Sequence, residues 1–287
     1  MSTKVRARSA AAAVAGKNGH SLISDAKFRQ LYATLLKYRL IEERLSSGLG
    51  SGGNHAAGAQ NQIAGAVGVT LNLEREDTVV LTPSGFLTKF VKGAQPGAML
   101  NHQHANGNGC GAIFSGSAVS VLMPASPALS AQLGFATGAA LANKLAKNHT
   151  VTVAFIEDAA ALEGCKEALE VASAQQLPIV YVIEKKPGNA SGEFLNQMNE
   201  LFPVITVDAH DVVAVYRVAH ESITRVRQGG GPALIACMTY PLNGATVNAV
   251  ENMERYLTGK KLFRDRWKDE VISEFERETD AALPSQG

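Results

Sequence analysis

Long apolar runs are missing from this chain: none approaches the roughly 20 residues that a membrane-spanning helix requires, so a role as a helical membrane protein is excluded at the outset. An excess of charge is missing too. Lys and Arg total 27 against 26 Asp and Glu, a formal net charge of +1, which leaves neither a basic field for nucleic acid nor an acidic tail. Cysteine is scarce: Cys110, Cys165 and Cys237 are far apart, odd in number and outside metal-ligand spacing. That pattern argues against a disulfide framework and predicts free thiols in a reducing, cytoplasmic compartment. What the chain does have is 46% hydrophobic residues over 287 positions, enough to bury one large core without requiring a second complete domain.

The opening MSTKVRARSAAAAVAGKNGH is basic and alanine-rich, with an apolar part too short and weak for a secretory signal. Two readings of residues 1–24 stand, a flexible leader and an organelle-targeting segment. From Asp25 to Leu45 apolar residues recur at helical spacing, until SSGLGSGG breaks the pattern. A small-residue helix is predicted near Ala56 to Val69, and then a strand in EREDTVVLT that TPSG ends. The loop NHQHANGNGCG has no regular period.

Beyond Ser130 the periods alternate. SAQLGFATGAALANKLAK reads as helix, TVTVAFI as strand, ALEGCKEALEVASAQQ as helix, and LPIVYVIE as strand. PVITVDA, DVVAVYRVAHESITRVRQ and PALIACMTY add a strand, a helix and a strand. Strands alternating with helices imply right-handed crossovers, so the predicted fold is α/β, a mainly parallel twisted sheet of about six strands flanked by helices. This α/β domain is expected over residues 25–248. Residues 249–287 read as a helical C-terminal extension, part of the same domain or of an oligomer interface.

In open parallel sheets ligands bind at the carboxyl ends of strands, where Asp158 and the run Glu184, Lys185, Lys186 follow consecutive strands. The segments SAQLGFATGAALANKLA, FIEDAAALEGCKEALEVASAQQLPIVYVIEKK, ITVDAHD and GGGPALIACMTY, with RLIEERL and GAQNQIAG upstream, occur in a telling order. Together they resemble the alpha subunit of the decarboxylating, thiamine diphosphate-dependent component of 2-oxo acid dehydrogenase complexes, of the pyruvate or branched-chain type. The resemblance runs over roughly residues 25 to 280. It implies the diphosphate-binding fold of thiamine enzymes and a family reaction, oxidative decarboxylation of a 2-oxo acid with acyl transfer to a lipoyl group. It also implies thiamine diphosphate and magnesium as cofactors, and either a homo-oligomer or a hetero-oligomer with a beta-type subunit.

The contact positions depart from that family's pattern. Its magnesium is held by the Asp of a Gly-Asp-Gly and by a side-chain oxygen of an Asn-Asn pair. Asp158 matches the Asp and is the one expected metal ligand, since magnesium prefers carboxylate oxygen. Glu157 and Ala159 stand in place of the glycines, the first repelling a diphosphate and the second restricting close backbone approach. Lys185 and Lys186 stand in place of the amides, and an ammonium group has three donors and no lone pair to offer a metal. By the same comparison Pro83 and Ser84 fall where the family has Tyr-Arg, and Asn243 and Ala245 fall where it has imidazoles.

The implied cofactors are therefore expected to bind weakly or not at all, and no catalytic residue is assigned. Three functions follow as expectations: an impaired or inactive dehydrogenase alpha-type subunit, a non-catalytic structural or regulatory subunit, and an anion-binding module using Lys185 and Lys186. An internal ion pair between Asp158 and Lys186 would fill the metal position. Simpler roles compete at several residues. Asp158 fits a helix cap, Glu163 a favourable first-turn charge, and Asp211 beside His210 a cap rather than a catalytic partner. Cys165 fits a buried thiol, His102 and His104 exposed loop residues, and RQGGGPA a helix stop.

Overall fold

The computed structural model describes residues 23–48, 63–80, 122–123, 129–156, 165–185, 192–238 and 248–280. The elements are α1 (Asp25–Gly48), α2 (Ile63–Thr70), β1 (Thr78–Val80), β2 (Leu122–Met123), α3 (Leu129–Ala146) and β3 (Thr152–Ile156). They continue as α4 (Lys166–Ala174), β4 (Ile179–Lys185), α5 (Gly192–Leu201), β5 (Val204–Asp208), α6 (Val212–Arg227) and β6 (Ala233–Met238). Two helices follow, α7 (Ala249–Gly259) and α8 (Asp265–Asp280). The six strands form one sheet in the order β2-β1-β3-β4-β6-β5, every neighbouring pair parallel. The predicted α/β architecture is the observed one.

A parallel sheet of this kind must be covered on both faces, and the strand sequences show how. Along β3, β4 and β6 successive side chains enter opposite cores: Val153, Phe155, Val180, Val182, Ile235 and Cys237 on one face; Ala154, Ile156, Tyr181, Ile183, Leu234 and Ala236 on the other. Burying each Val or Ile side chain contributes roughly 1.5–3 kcal/mol, so neither face can be left uncovered. On the first face lie α1, α2, α6, α7 and α8; on the second lie α3, α4 and α5.

Handedness explains the division. The connections through α3, α4 and α5 all advance across the sheet in one direction and share a face. The connection through α6 steps back from β5 to β6, and a right-handed crossover in the reverse direction puts its helix on the other face.

Two elements were not foreseen. β2 lies within AVSVLMP, a short β-branched stretch of the sequence. α5 lies between β4 and β5, where Phe194 and Met198 recur at helical spacing and are buried. Of the predicted helix over ALEGCKEALEVASAQQ the structure describes α4, which begins at Lys166 with Cys165 at its N-cap; Asp158, expected as a cap, lies outside the described residues. α1 extends to Gly48, past the expected Leu45.

The amino edge of the sheet is held by a charged clamp. Asp77, fully buried, precedes β1. Its Oδ1 accepts from the backbone N–H of Val151 at 2.8 Å and from Arg227 Nη1 at 2.9 Å. Its Oδ2 accepts from the Glu74 N–H at 2.7 Å and from Arg227 Nη2 at 2.7 Å. Arg227, in the last turn of α6, also donates to the His149 carbonyl at 3.0 Å. The carboxylate is thus satisfied on both oxygens and ties β1, β3 and α6 together, the bidentate geometry that makes an arginine pair strong.

At the end of α6 the RQGGGPA segment stops the helix as expected. Gly229 and Gly231 take φ values of 86° and 72°, which favour glycine. Arg225 folds over them and donates to the Gly230 carbonyl and, at 2.6 Å, to that of Pro232. Elsewhere Gly68 lets α2 approach α6 closely, because a Cβ there would meet Val215 Cγ1 at 2.7 Å.

The C-terminal helices dock through aromatic rings and one shared carboxylate. Tyr32 of α1 lies 5.0 Å from Trp267 and 5.5 Å from Phe263, centroid to centroid. Its hydroxyl donates to Glu254 Oε1 at 2.8 Å, and Lys268 Nζ lies 2.9 Å from the same oxygen. Burial and the neighbouring Glu254 carboxylate push the Tyr32 hydroxyl well above the usual tyrosine range, so it stays a donor. α7 and α8 therefore share the core of the first face rather than hanging from it.

Arg227→Leu leaves Asp77 buried without its cation. The expected cost in urea unfolding at neutral pH is about 3–5 kcal/mol. A loss below about 1 kcal/mol, the range of an exposed pair, would show that the clamp does not hold the amino edge.

Candidate functional site at the carboxyl edge

Chain order reverses across the sheet between β1 and β3: from β1 the chain passes to β2 on one side, from β3 to β4 on the other. Side chains from helices on the two faces part at such a point and leave a crevice outside the strand ends. Val80 ends β1 and Ile156 ends β3, with Val80 level with Ala154. Ile156 is in turn level with Ile183, two residues before the end of β4. Glu184 pairs with Cys237 and Lys185 with Met238, so the end of β4 lies between the ends of β3 and β6.

Of the candidate residues from the sequence, Glu184 and Lys185 lie on this edge within the described strands. Lys185 is the last residue of β4, and its backbone position is as just given. Glu157, Asp158, Ala159 and Lys186 lie outside the described residues, as do Pro83, Ser84, His102, His104, Asn243 and Ala245. The strands thus deliver the chain to neighbouring points on one edge at Val80, Ile156 and Lys185, next to the positions the family comparison singled out.

The described surroundings are ordered by a residue that the sequence reading passed over. Gln132, in the first turns of α3, is buried and its Nε2 donates to the Phe155 carbonyl at 3.0 Å. This ties the start of α3 to the last residues of β3. The sequence signal was a lone polar residue on the buried stripe of Leu133, Ala136 and Ala140. Cys165 is buried, and desolvation, followed by the nearby Glu167, pushes its thiol up from the usual range. That is the behaviour of a structural thiol and the opposite of an activated one.

At the far end of the edge, the corner between β5 and α6 resolves the His210–Asp211 question. Asp211 is the N-cap of α6, accepting from the Val213 and Ala214 N–H groups at 3.0 and 2.9 Å. His210 pairs with Asp208 instead: Nδ1 lies 3.1 Å from Oδ1, which also accepts the His210 backbone N–H at 2.9 Å. A carboxylate can only accept, so Nδ1 is the donor in this contact. Nε2 is buried and has no hydrogen-bond partner among the described residues, in a residue only 3% exposed. Asn252 of α7 donates to the His210 carbonyl at 3.1 Å and closes the corner. The expected cap at Asp211 is present, and no His–Asp211 pair exists.

Among the described residues no group of three or more His, Cys, Asp or Glu could hold a metal ion. Among them, too, no helix is long and apolar enough to cross a membrane. On the second face, the outside of α3 is apolar and open. Phe135, Leu141 and Leu145 are exposed there, Leu145 to 73%, and Val171 of α4 is exposed beside them. Gly134 and Gly138 share that exposed side, and a Cβ at either would meet nothing. The single charge on α3, Lys144, donates to the Gln175 carbonyl.

Comparison with known proteins adds a family. The profile of the dehydrogenase E1 component family matches residues 54–278. The chain is 28% identical over 238 residues to the alpha subunit of acetoin:2,6-dichlorophenolindophenol oxidoreductase from Bacillus subtilis, covering 76% of this chain and 71% of that protein. To the subunit of the same name from Cupriavidus necator it is 31% identical over 227 residues, 72% of this chain and 68% of the other. It is 33% identical over 155 residues to the alpha subunit of 3-methyl-2-oxobutanoate dehydrogenase from Mycobacterium tuberculosis, 50% of this chain and 41% of that protein.

Two substitutions separate the roles at the corner. Asp211→Ala should cost about 1 kcal/mol as a lost cap and leave the His210 ring nitrogens unmoved in 15N NMR. Asp208→Ala should shift the Nδ1 resonance toward a mixed tautomer. The opposite pattern would assign the imidazole to Asp211.

Proposed function

The chain belongs to the dehydrogenase E1 component family, and from that premise we propose that it is an alpha-type subunit whose cofactor site has lost its fit for magnesium and diphosphate. The observation that carries this reading is Lys185 at the end of β4, on the sheet edge beside the topological switch, where the family resemblance calls for an amide. A strand end at that point can present an oxygen ligand; an ammonium group presents none. Glu157 adds a repelling carboxylate and Lys186 a second cation, while Asp158 alone keeps the expected ligand type. The donor set does not suit the metal-bound diphosphate. The family reaction, decarboxylation of a 2-oxo acid with acyl transfer, is accordingly impaired or absent in this chain.

The same charges suit an internal ion pair in the metal position. The pair proposed is Asp158 with Lys186. An acid and a base at one edge are costly unpaired, and pairing relieves both. An anion-binding role for Lys185 and Lys186 is the competing use of the same cations.

A role in assembly has its own support. The curated relatives are alpha subunits by name, and the outer face of α3 is the kind of surface a subunit contact covers. Isolated exposed apolar residues are ordinary; Phe135, Leu141, Leu145 and Val171 instead share one side of the molecule. Gly134 and Gly138 allow a second backbone to come close at the centre of that face. We assign it to a beta-type subunit, which makes the chain a structural or regulatory member of a hetero-oligomer. The cytoplasmic reading rests on the number and spacing of the cysteines in the sequence alone.

Titration of the full chain with thiamine diphosphate and magnesium by calorimetry tests the cofactor proposal. The expected result is no binding tighter than about 10 μM, roughly −7 kcal/mol; tighter, magnesium-dependent binding overturns it. Magnesium-independent binding of inorganic pyrophosphate that Lys186→Ala abolishes would favour the anion-binding role.

Sedimentation of the full chain, co-expressed with a beta-type subunit, tests the assembly. Leu141→Glu should weaken the complex by roughly 2 kcal/mol or more while circular dichroism stays unchanged. A folded variant that assembles as well as the parent removes α3 from the contact.

A further inference from the structure

We draw no further inference here: the strongest candidate, the buried imidazole of His210 at the corner between β5 and α6, leaves Nε2 without a hydrogen-bond partner, but no described cavity or metal-ligating cluster faces it to name what it would bind.

Discussion

A single buried carboxylate sets the frame on which the rest of this molecule is hung. Asp77 precedes β1, receives the N–H that opens β3, and is gripped on both oxygens by Arg227 from the end of α6. Three elements that are remote in sequence are thereby aligned at the amino edge. In a parallel sheet every strand runs the same way, so aligning the amino ends also decides where the carboxyl ends stop. The levels reached by Val80, Ile156 and Lys185 follow from that alignment and from the continuous register across β1, β3 and β4. An ionised group so deeply buried is tolerated because each of its lone pairs has a donor. The clamp and the candidate site are therefore two ends of one construction.

That construction separates scaffold from chemistry. The scaffold needs β-branched residues entering both cores, small residues such as Gly68 at close helix contacts, and polar fasteners such as Gln132. All of these are present, within the residues 54–278 that the family model matches. The residues that the family resemblance assigns to a metal-bound diphosphate end or follow the strands in sequence and are not among the residues of the two described cores. A chain can thus keep membership of a family while its contact residues depart from the family's chemistry, since fold and site answer to different constraints. The apolar outer face of α3 is the surface proposed above for a subunit contact.

Much of this order was legible in the sequence. Strand–helix alternation from Ser130 onward reappears in β3 to β6, and the glycine run after α6 is the turn it resembled. Misses have local causes. α5 was hidden because its buried residues, Phe194 and Met198, are few and stand among polar neighbours. β2 was hidden by its length of two residues. The described part of the predicted helix before β4 opens at Lys166, and the alanines and glutamate that precede Cys165 lie outside the described residues. His210 was weighed against Asp211, its neighbour in sequence, whereas the turn at residues 209–210 brings the imidazole back to Asp208, the last residue of β5.

By itself, then, the sequence determined most of the strands and helices, that the sheet is mainly parallel and flanked by helices, and the family that the chain resembles. These depend on local periodicity and on the order of motifs, both of which can be read along a line. Only the tertiary structure decided which polar groups meet: Asp77 with Arg227 across 150 residues, Gln132 with the end of β3, Tyr32 with Glu254. It also decided that the apolar side of α3 faces outward. Such pairings depend on where elements end and how their faces are rotated, and packing alone sets those quantities.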